Sequence, residues 1–342
     1  MKYIWFSLML FICSSLGAQD QQYQVNLVGF YNLENLFDTL DTPDKKDTEF
    51  TPSGSKAYGT EIYLDKLGNL DKVISQIGTQ YSADGLAVLG VCEVENRKVL
   101  EDLVKEEGIA KRNYQIVHHE SQDFRGIDNA LLYNPKYFKL EESRIVSINL
   151  PLVNGEKRYT RDILHVTGML SGERVHILVN HWPSRSGGEK ASAPKRAEAA
   201  KVCRTIVNEI YANDDDAQII IMGDLNDDPY NPSVTKHLGA KGKLSKIKEN
   251  DLYNPMFKMH KSGEGTLCYR GTWNLFDQII VSEDLMEEKG FYFKKAMIFK
   301  KSWMFTKEGQ YKGYPLRTFG GSNYLGGYSD HLPSYIILLK KI

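Results

Sequence analysis

The chain has 342 residues, a hydrophobic fraction of 42% and a formal net charge of −1 at pH 7. This length and composition allow a large core, and the few cysteines exclude a fold that depends mainly on disulfides. The charge balance gives no general sign of a polyanion partner, although a local basic surface would be enough to bind nucleic acid.

The first 18 residues predict a cleaved export signal. Lys2 precedes an apolar run, and small residues lead up to Ala18. This pattern is typical of a secretory signal peptide, and the apolar run is shorter than the roughly 20 residues that span a bilayer. We therefore predict cleavage near Ala18, no stable membrane span and a secreted or periplasmic location. Residues 19–342 are predicted to form a single monomeric domain, since no repeat or linker divides them.

Uninterrupted apolar runs predict buried strands, and a polar side chain follows several of them. Residues 24–31 form the first such run and lead to Asn32, and residues 85–92 form the second and lead to Glu93. Residues 62–77 carry apolar side chains at helical spacing and predict a helix that covers one face of a sheet. A single carboxylate at a strand end could simply cap the next helix, so the pattern gains weight only by repetition.

The middle of the chain repeats this pattern. Residues 114–148 predict a meander of three strands, with Asp128 just before the second strand. Residues 163–179 predict a hairpin, and its second strand leads to His181. Residues 194–211 predict a helix whose first residue is a proline, a position where the missing N–H costs nothing.

The stretch 218–229, QIIIMGDLNDDP, is the most informative part of the sequence. Its four consecutive apolar residues predict a strand that is covered on both faces. Gly223 would allow a sharp turn, after which Asp224 and Asn226 lie on a loop fixed to a rigid strand. Open α/β sheets bind ligands at such places, but a solvated turn capped by Asp and Asn explains the same residues.

The last third of the chain supplies further polar residues at strand ends. One predicted strand starts with Asp277, and Asp330 and His331 precede the final apolar run. The segment 309–327 is dense in glycine and tyrosine and contains Arg317, which predicts a long functional loop.

The polar residues at predicted strand ends form a set dominated by oxygen ligands. Its members are Asn32, Glu93, Asp128, His181, Asp224, Asn226, Asp277, Asp330 and His331. Hard carboxylates and amides suit Mg²⁺ or Mn²⁺, with Ca²⁺ left open as a structural ion, whereas zinc would require more nitrogen or sulfur. A divalent cation beside histidines and an aspartate suits the hydrolysis of a phosphate ester.

Six motifs together resemble those of a known family. They are FYNLEN, GVCEVEN, NHWPSR, MGDLNDDP, FDQIIVS and YSDHLP, in this order over about residues 24–340. This set is similar to the endonuclease/exonuclease/phosphatase superfamily, which includes deoxyribonucleases, abasic-site endonucleases, inositol polyphosphate 5-phosphatases and bacterial sphingomyelinases. The resemblance implies a four-layer α/β sandwich, in which two mixed β-sheets pack face to face with flanking helices and the site lies at one edge.

The resemblance also implies roles for individual residues. It places metal ligands at Asn32, Glu93 and Asp330, and catalytic residues at His181, Asp224, Asn226, Asp277 and His331. Asp277 would support His331, which acts at the scissile phosphate, and Asn226 would orient the phosphate. Either Asp224 or the pair of His331 and Asp277 would activate water.

Two further residues have an approximate match to the family. His181 is similar to the second histidine of the deoxyribonuclease and sphingomyelinase branches, and Asp128 lies near the acidic partner of that histidine. Arg161 resembles a phosphate-contacting arginine. Arg161 and Asp128 are therefore predicted to belong to the phosphate-binding part of the site.

Together with the predicted signal peptide, the resemblance predicts an exported, metal-dependent phosphodiesterase, with DNA or RNA as the expected substrate. A phosphoesterase for lipid headgroups, as in the sphingomyelinases, or for inositol phosphates remains an alternative. Trp303, Met304 and Phe305 are the candidates for the aromatic segment that binding to a bilayer would need. A catalytically silent binding protein with the same fold is the third reading.

Overall fold

The computed structural model describes residues 21–152, 155 and 158–342. The predicted signal peptide, residues 1–18, lies outside the described residues. In chain order the first nine strands are β1 (Tyr23–Leu36), β2 (Val88–Val94), β3 (Gln115–His118), β4 (Asp128–Tyr133), β5 (Phe138–Val146), β6 (Ile163–Leu170), β7 (Glu173–His181), β8 (Gln218–Asp224) and β9 (Ala240–Lys241). The others are β10 (Leu252–Tyr253), β11 (Leu267–Tyr269), β12 (Thr272–Asn274), β13 (Asp277–Ser282), β14 (Tyr292–Ile298), β15 (Phe319–Gly320), β16 (Asn323–Tyr324) and β17 (Ser334–Lys341).

The described residues contain fewer α-helices than strands. The α-helices are α1 (Thr60–Ile74), α2 (Arg97–Leu103), α3 (Glu107–Ala110), α4 (Glu189–Tyr211) and α5 (Met256–Lys261). Single turns of 3₁₀-helix occur at Thr48–Phe50, Leu244–Lys246, Glu283–Met286 and Ser302–Met304, and Ser233–Leu238 is a π-helix.

Most strands belong to two large mixed sheets. The first sheet has six strands in the order β14-β17-β1-β2-β4-β3, and the second has seven in the order β5-β6-β7-β8-β13-β10-β9. The central pairs β1–β2 and β7–β8 are parallel, and helices α1 and α4 make the crossovers that parallel pairs require. Two-stranded ribbons are formed by β11 with β12 and by β15 with β16.

The two sheets pack face to face. Phe30 of β1 and Ile177, Ile220 and Met222 of the second sheet belong to one buried cluster. The opposite face of the second sheet packs against α4, because Ile219 and other residues of that face share a second cluster with the helix. Helix α1 buries one apolar face, which includes Leu67, Leu70 and Val73, in the first cluster. The predicted four-layer α/β sandwich is therefore confirmed.

Several local predictions need correction. β1 extends past Asn32 to Leu36, with a shift of register between these residues. Helix α4 begins at Glu189, so Pro194 lies inside the helix and is not its first residue.

Gly223 is not a turn residue. It lies inside β8, where an added Cβ would collide with the carbonyl of Asn180 on the neighbouring strand. The glycine therefore allows β7 and β8 to approach closely, and the chain turns only after Asp224.

The described residues contain three cysteines, and Cys92, Cys203 and Cys268 are all free thiols. In the same part of the chain, no helix combines the length and the apolar character that a membrane crossing requires.

Candidate active site

Three polar side chains lie side by side on neighbouring strands at one end of the second sheet. Asp224 at the end of β8 is in register with His181 on the parallel strand β7 and with Asp277 on the antiparallel strand β13. Residues directly opposite each other on paired strands project from the same face. All three are buried, and Nε2 of His181 lies 3.6 Å from Oδ2 of Asp224. The ladder of the sheet thus fixes these groups relative to one another.

His331 completes this group from the segment just before β17, a strand of the first sheet. Its Nδ1 donates to Oδ2 of Asp277 over 2.7 Å, and its Nε2 lies 3.9 Å from Oδ2 of Asp224. The chain neighbour Asp330 is farther away, with Oδ1 at 4.0 Å from Nε2 of the ring. A carboxylate from the other sheet therefore orients the imidazole, as the sequence predicts for Asp277.

The charges of this group are set by burial and by neighbours. Burial alone would lower the pKa of His331, but the carboxylates of Asp277 and Asp224 outweigh it and hold the pKa well above its ordinary value. Burial raises the pKa of Asp224 to about 7, although His331 opposes this rise. At neutral pH the site thus holds an imidazolium beside a carboxyl group whose pKa suits proton transfer.

His181 has the opposite electrostatic character. Burial and the positive charges of Arg161 and Arg125 hold its pKa well below the ordinary value, so the ring is neutral. Its Nδ1 is buried and has no hydrogen-bond partner among the described residues. A neutral imidazole with an unused nitrogen is suited to hydrogen bonding with a ligand.

A strained backbone presents the polar residues of the first sheet. Glu34, Asn35, Glu93 and Asn226 all have φ between 49° and 60°, the left-handed region that non-glycine residues rarely occupy. Three of them lie where β1 and β2 lose their regular register. Strain of this kind persists where the surrounding structure enforces it and is concentrated at functional sites.

Hydrogen bonds tie these residues into one cluster that reaches the second sheet. The backbone N–H of Asn35 donates to Oε2 of Glu93 over 3.0 Å, and that of Glu34 donates to Oδ1 of Asn32 over 2.9 Å. Nδ2 of Asn32 donates to Oδ2 of Asp224 over 3.1 Å. The predicted metal-binding residues and the predicted catalytic residues are therefore in contact.

Glu34 and Asp330 form the outer part of the cluster. Arg317 donates through Nε to Oε1 of Glu34 at 3.2 Å and through Nη2 to Oδ2 of Asp330 at 2.8 Å. Burial and the charge of Asp330 raise the pKa of Glu34 to about 7, against the opposing effects of Lys66 and Arg317. A buried carboxylate with a raised pKa would be stabilised in its charged form by a cation.

The donor set fits a hard divalent cation. Carboxylate and amide oxygens of Asn32, Glu34, Glu93 and Asp330 are the type of ligand that Mg²⁺ and Mn²⁺ prefer. Asp224, Asp277 and His331 also have ligand atoms within 4.8 Å of one another. Because His331 carries a positive charge and pairs with both aspartates, we interpret that second group as an ion-paired network.

The remaining predicted site residues support the segment after β7. Arg161 donates through Nη2 to the carbonyl of Trp182 over 2.7 Å, and Nδ2 of Asn226 donates to the same carbonyl over 3.0 Å. Asp128 accepts from the backbone N–H of Ser121 and contacts His118. Both Arg161 and Asp128 are buried, and a direct role in phosphate binding stays a prediction for both.

Three residues of the site carry no assignment from the sequence alone. Glu34 lies inside the FYNLEN motif two positions after Asn32, but a left-handed backbone at a shift of register places it, so regular strand alternation does not identify it. Lys66 is buried and donates to Oγ1 of Thr318 over 2.6 Å, which no local pattern indicates. Arg317 belongs to the predicted functional loop, but only the fold brings it to Glu34.

Comparison with known proteins identifies a family for this chain. The model of the Endonuclease/Exonuclease/phosphatase family matches residues 27–340. No curated protein matches the sequence.

Solved structures share the fold at low sequence identity. An endonuclease/exonuclease/phosphatase family protein from Bacteroides thetaiotaomicron is 18% identical, with a TM-score of 0.55 over 94% of this chain and 96% of that one. A mannosyl-6-phosphatase from the same organism is 17% identical, with a TM-score of 0.54 and coverages of 92% and 99%. D. rerio TDP2, complexed with single strand DNA product, is 16% identical, with a TM-score of 0.52 and coverages of 92% and 98%.

Proposed function

The chain belongs to the endonuclease/exonuclease/phosphatase family, and from this premise we propose that it is an exported, divalent-metal-dependent nuclease. Enzymes of this family are hydrolases that act on phosphoric ester bonds. The observation that carries the proposal is the position of His331, which is bonded to Asp277 and lies close to Asp224 beside the carboxylate cluster, where both aspartates favour its protonated form by raising its pKa. This arrangement places positive charge and a proton acceptor at one point, as attack of water on a phosphodiester requires.

The residues of the site divide this work between them. Asp224 takes a proton from the attacking water, since a pKa of about 7 matches neutral conditions. His331 stabilises the developing charge on the phosphoryl oxygens, and Asp277 keeps its ring oriented and charged. Asn226 and the neutral His181 hold the phosphate in place.

A divalent cation has a defined place in this proposal. Asn32, Glu34, Glu93 and Asp330 would hold it, and when bound it neutralises negative charge on the phosphate or on the leaving oxygen. Mg²⁺ and Mn²⁺ are the proposed ions because all four residues offer oxygen.

Nucleic acid is favoured over lipid by the packing of one aromatic segment. The candidates for membrane contact are engaged within the fold: Met304 is buried, the ring of Trp303 lies 4.8 Å from Tyr328, and that of Phe305 lies 6.3 Å from Trp273. These side chains are therefore not a free hydrophobic patch. A relative with the same fold, D. rerio TDP2, was solved with a DNA product.

A substrate screen tests the proposal directly. Purified protein starting at residue 19 is incubated with plasmid DNA, RNA, sphingomyelin or inositol phosphates in Mg²⁺ or Mn²⁺. We expect cleavage of DNA or RNA that a chelator abolishes and that is lost in His331→Ala and Glu93→Ala. Full activity in either variant, or hydrolysis of sphingomyelin or inositol phosphates without nucleic acid cleavage, would refute the assignment.

Export and monomeric state are part of the same proposal. The sequence of residues 1–18 supports cleavage near Ala18 and a secreted or periplasmic location. N-terminal sequencing of protein recovered from the periplasm or medium, together with its mass in solution, tests both points.

A further inference from the structure

A cleft of about 210 Å³ opens beside the carboxylate cluster. Three separate segments line it: residues 34–35 at the end of β1, residues 50–58 in the loop before α1, and residues 317–321 in the long loop before β17. Glu34 belongs both to the cleft and to the carboxylate cluster. A group that fills the cleft would therefore lie next to the phosphate that is proposed to react.

Lys56 is a fixed positive charge in this cleft. Its side chain is only 14% exposed, and its Nζ lies 5.2 Å from the ring centroids of both Phe50 and Phe319. Nζ also donates to the carbonyl of Gly321 over 3.3 Å and pairs with Oε2 of Glu49 at 3.1 Å. Glu49 and partners from the second and the third segment thus hold the ammonium group in one position before any ligand arrives.

Arg317, in the third segment, supplies a second cation to the lining of the cleft. It uses Nε and Nη2 to contact Glu34 and Asp330, whereas a guanidinium has five N–H donors in all. The Glu34 carboxylate in the wall does not present an uncompensated charge. It also accepts hydrogen bonds from the backbone N–H groups of Thr318 at 2.8 Å and Asp330 at 3.1 Å.

A rigid ammonium and a guanidinium that converge on a small cleft form an anion site, and Arg geometry matches phosphate oxygens well. We propose that Lys56 and Arg317 bind a second phosphate group of the substrate, next to the phosphate that is hydrolysed. This inference rests on the proposed phosphoesterase function. The second phosphate could belong to the backbone of a nucleic acid or to a small molecule with several phosphates.

Equilibrium binding tests this inference without relying on turnover. Calorimetry in Ca²⁺ compares thymidine 5′-phosphate with thymidine 3′,5′-bisphosphate, and inositol 1-phosphate with inositol 1,4-bisphosphate. In the unmodified protein the second phosphate should tighten binding about tenfold or more in one pair, the usual size of a contact with charged groups. A gain in the nucleotide pair identifies a backbone phosphate, and a gain in the inositol pair identifies a small-molecule phosphate.

Lys56→Met should abolish that gain while its stem still packs between the two rings. Lys56→Arg should restore most of the gain because it keeps the charge. Lys136→Met is the matched control, since Lys136 also pairs with an acid, Asp84, and lies over a ring, that of Tyr137, at the other end of β4. It should keep the full gain.

The inference is overturned if the second phosphate tightens binding in neither pair of ligands. It is also overturned if the tighter binding survives in Lys56→Met with an unchanged melting temperature. Failure of the proposed nuclease function is a separate result. In that case nucleic acids are not cleaved in Mg²⁺ or Mn²⁺, whereas a gain lost in Lys56→Met would still locate the phosphate subsite.

Discussion

At the scale of single residues, the contact between His331 and Asp277 controls the charge of the site. Asp277 begins β13 of the second sheet and His331 precedes β17 of the first; the two side chains are buried and their bonded atoms are 2.7 Å apart. Among the groups that raise the pKa of His331, Asp277 has the largest effect, and burial acts in the opposite direction. A neutral amide at position 277 should therefore lower the pKa of His331 and remove the orientation of its ring.

We expect Asp277→Asn to reduce kcat/KM for a bis-aryl phosphodiester by about 10²–10⁴-fold, the range that a positioned proton-transfer group contributes. As the pH rises, the remaining activity should begin to fall at a lower pH than in the unmodified enzyme, because His331 loses its proton more easily. A pH profile of kcat/KM measures both effects. An alkaline limb at the same pH in both enzymes would contradict the role given to Asp277.

The sequence indicates most positions of the candidate site, but apart from the pairing of Asp277 with His331 it does not indicate which side chains meet. Glu93 and Glu95 follow the same predicted strand, yet only Glu93 joins the cluster. Glu95 instead accepts from the backbone of Asp38 and from Thr42, so it fixes a loop. Glu34 is missed because its position depends on left-handed backbone at a shift of register, which no local pattern predicts.

At the scale of elements, we expect a pair of histidines on β6 and β7 to make the stability of this hairpin depend on pH. Nε of Arg144 donates to Nδ1 of His165 over 3.3 Å, and Nε2 of His165 lies 3.1 Å from Nδ1 of His176. This chain of bonds assigns a neutral tautomer to His165, with its proton on Nε2. Burial, with the charges of His176 and Arg144, lowers the pKa of His165 to about 4.

The lowered pKa predicts the direction of the effect on folding. Between pH 6.5 and about 4 the unfolded chain binds a proton at His165 that the folded chain does not, so stability falls as pH falls through this window. The melting temperature of His165→Gln should fall less than that of the unmodified protein between pH 7 and 4.5. His237→Gln, a half-buried histidine outside the hairpin, is the control. Equal losses in all three proteins would contradict the prediction.

Elements with one dominant signal are predicted well from sequence. The unbroken apolar run of β8 indicates a strand buried on both faces, and both of its faces contribute to a core cluster. Boundaries are less certain because packing extends or shifts them: α4 starts five residues before Pro194. The order of strands within each sheet depends on contacts between distant parts of the chain, and only the resemblance to a family indicates it.

The site spans both sheets, so it connects local chemistry to the stability of the whole molecule. The first sheet supplies Asn32 and Glu93 and the second supplies Asp224 and Asp277, with the bond from Asn32 to Asp224 across the interface. A ligand bound at this end should therefore oppose separation of the two layers. Neither the six-stranded sheet nor the seven-stranded sheet supplies the whole site alone.

Binding of Mg²⁺ should consequently stabilise the entire fold. A ligand at 100 times its dissociation constant stabilises the folded state by about 2.7 kcal/mol, which raises the melting temperature by several degrees. Glu93→Gln should shrink this rise because it removes a charged ligand. Glu95→Gln, on the same buried stretch but bonded to the loop at Asp38 and Thr42, should keep it even if its own melting temperature is lower. Melting curves with Mg²⁺ and with chelator measure the difference, and an equal rise in both variants would place the cation away from Glu93.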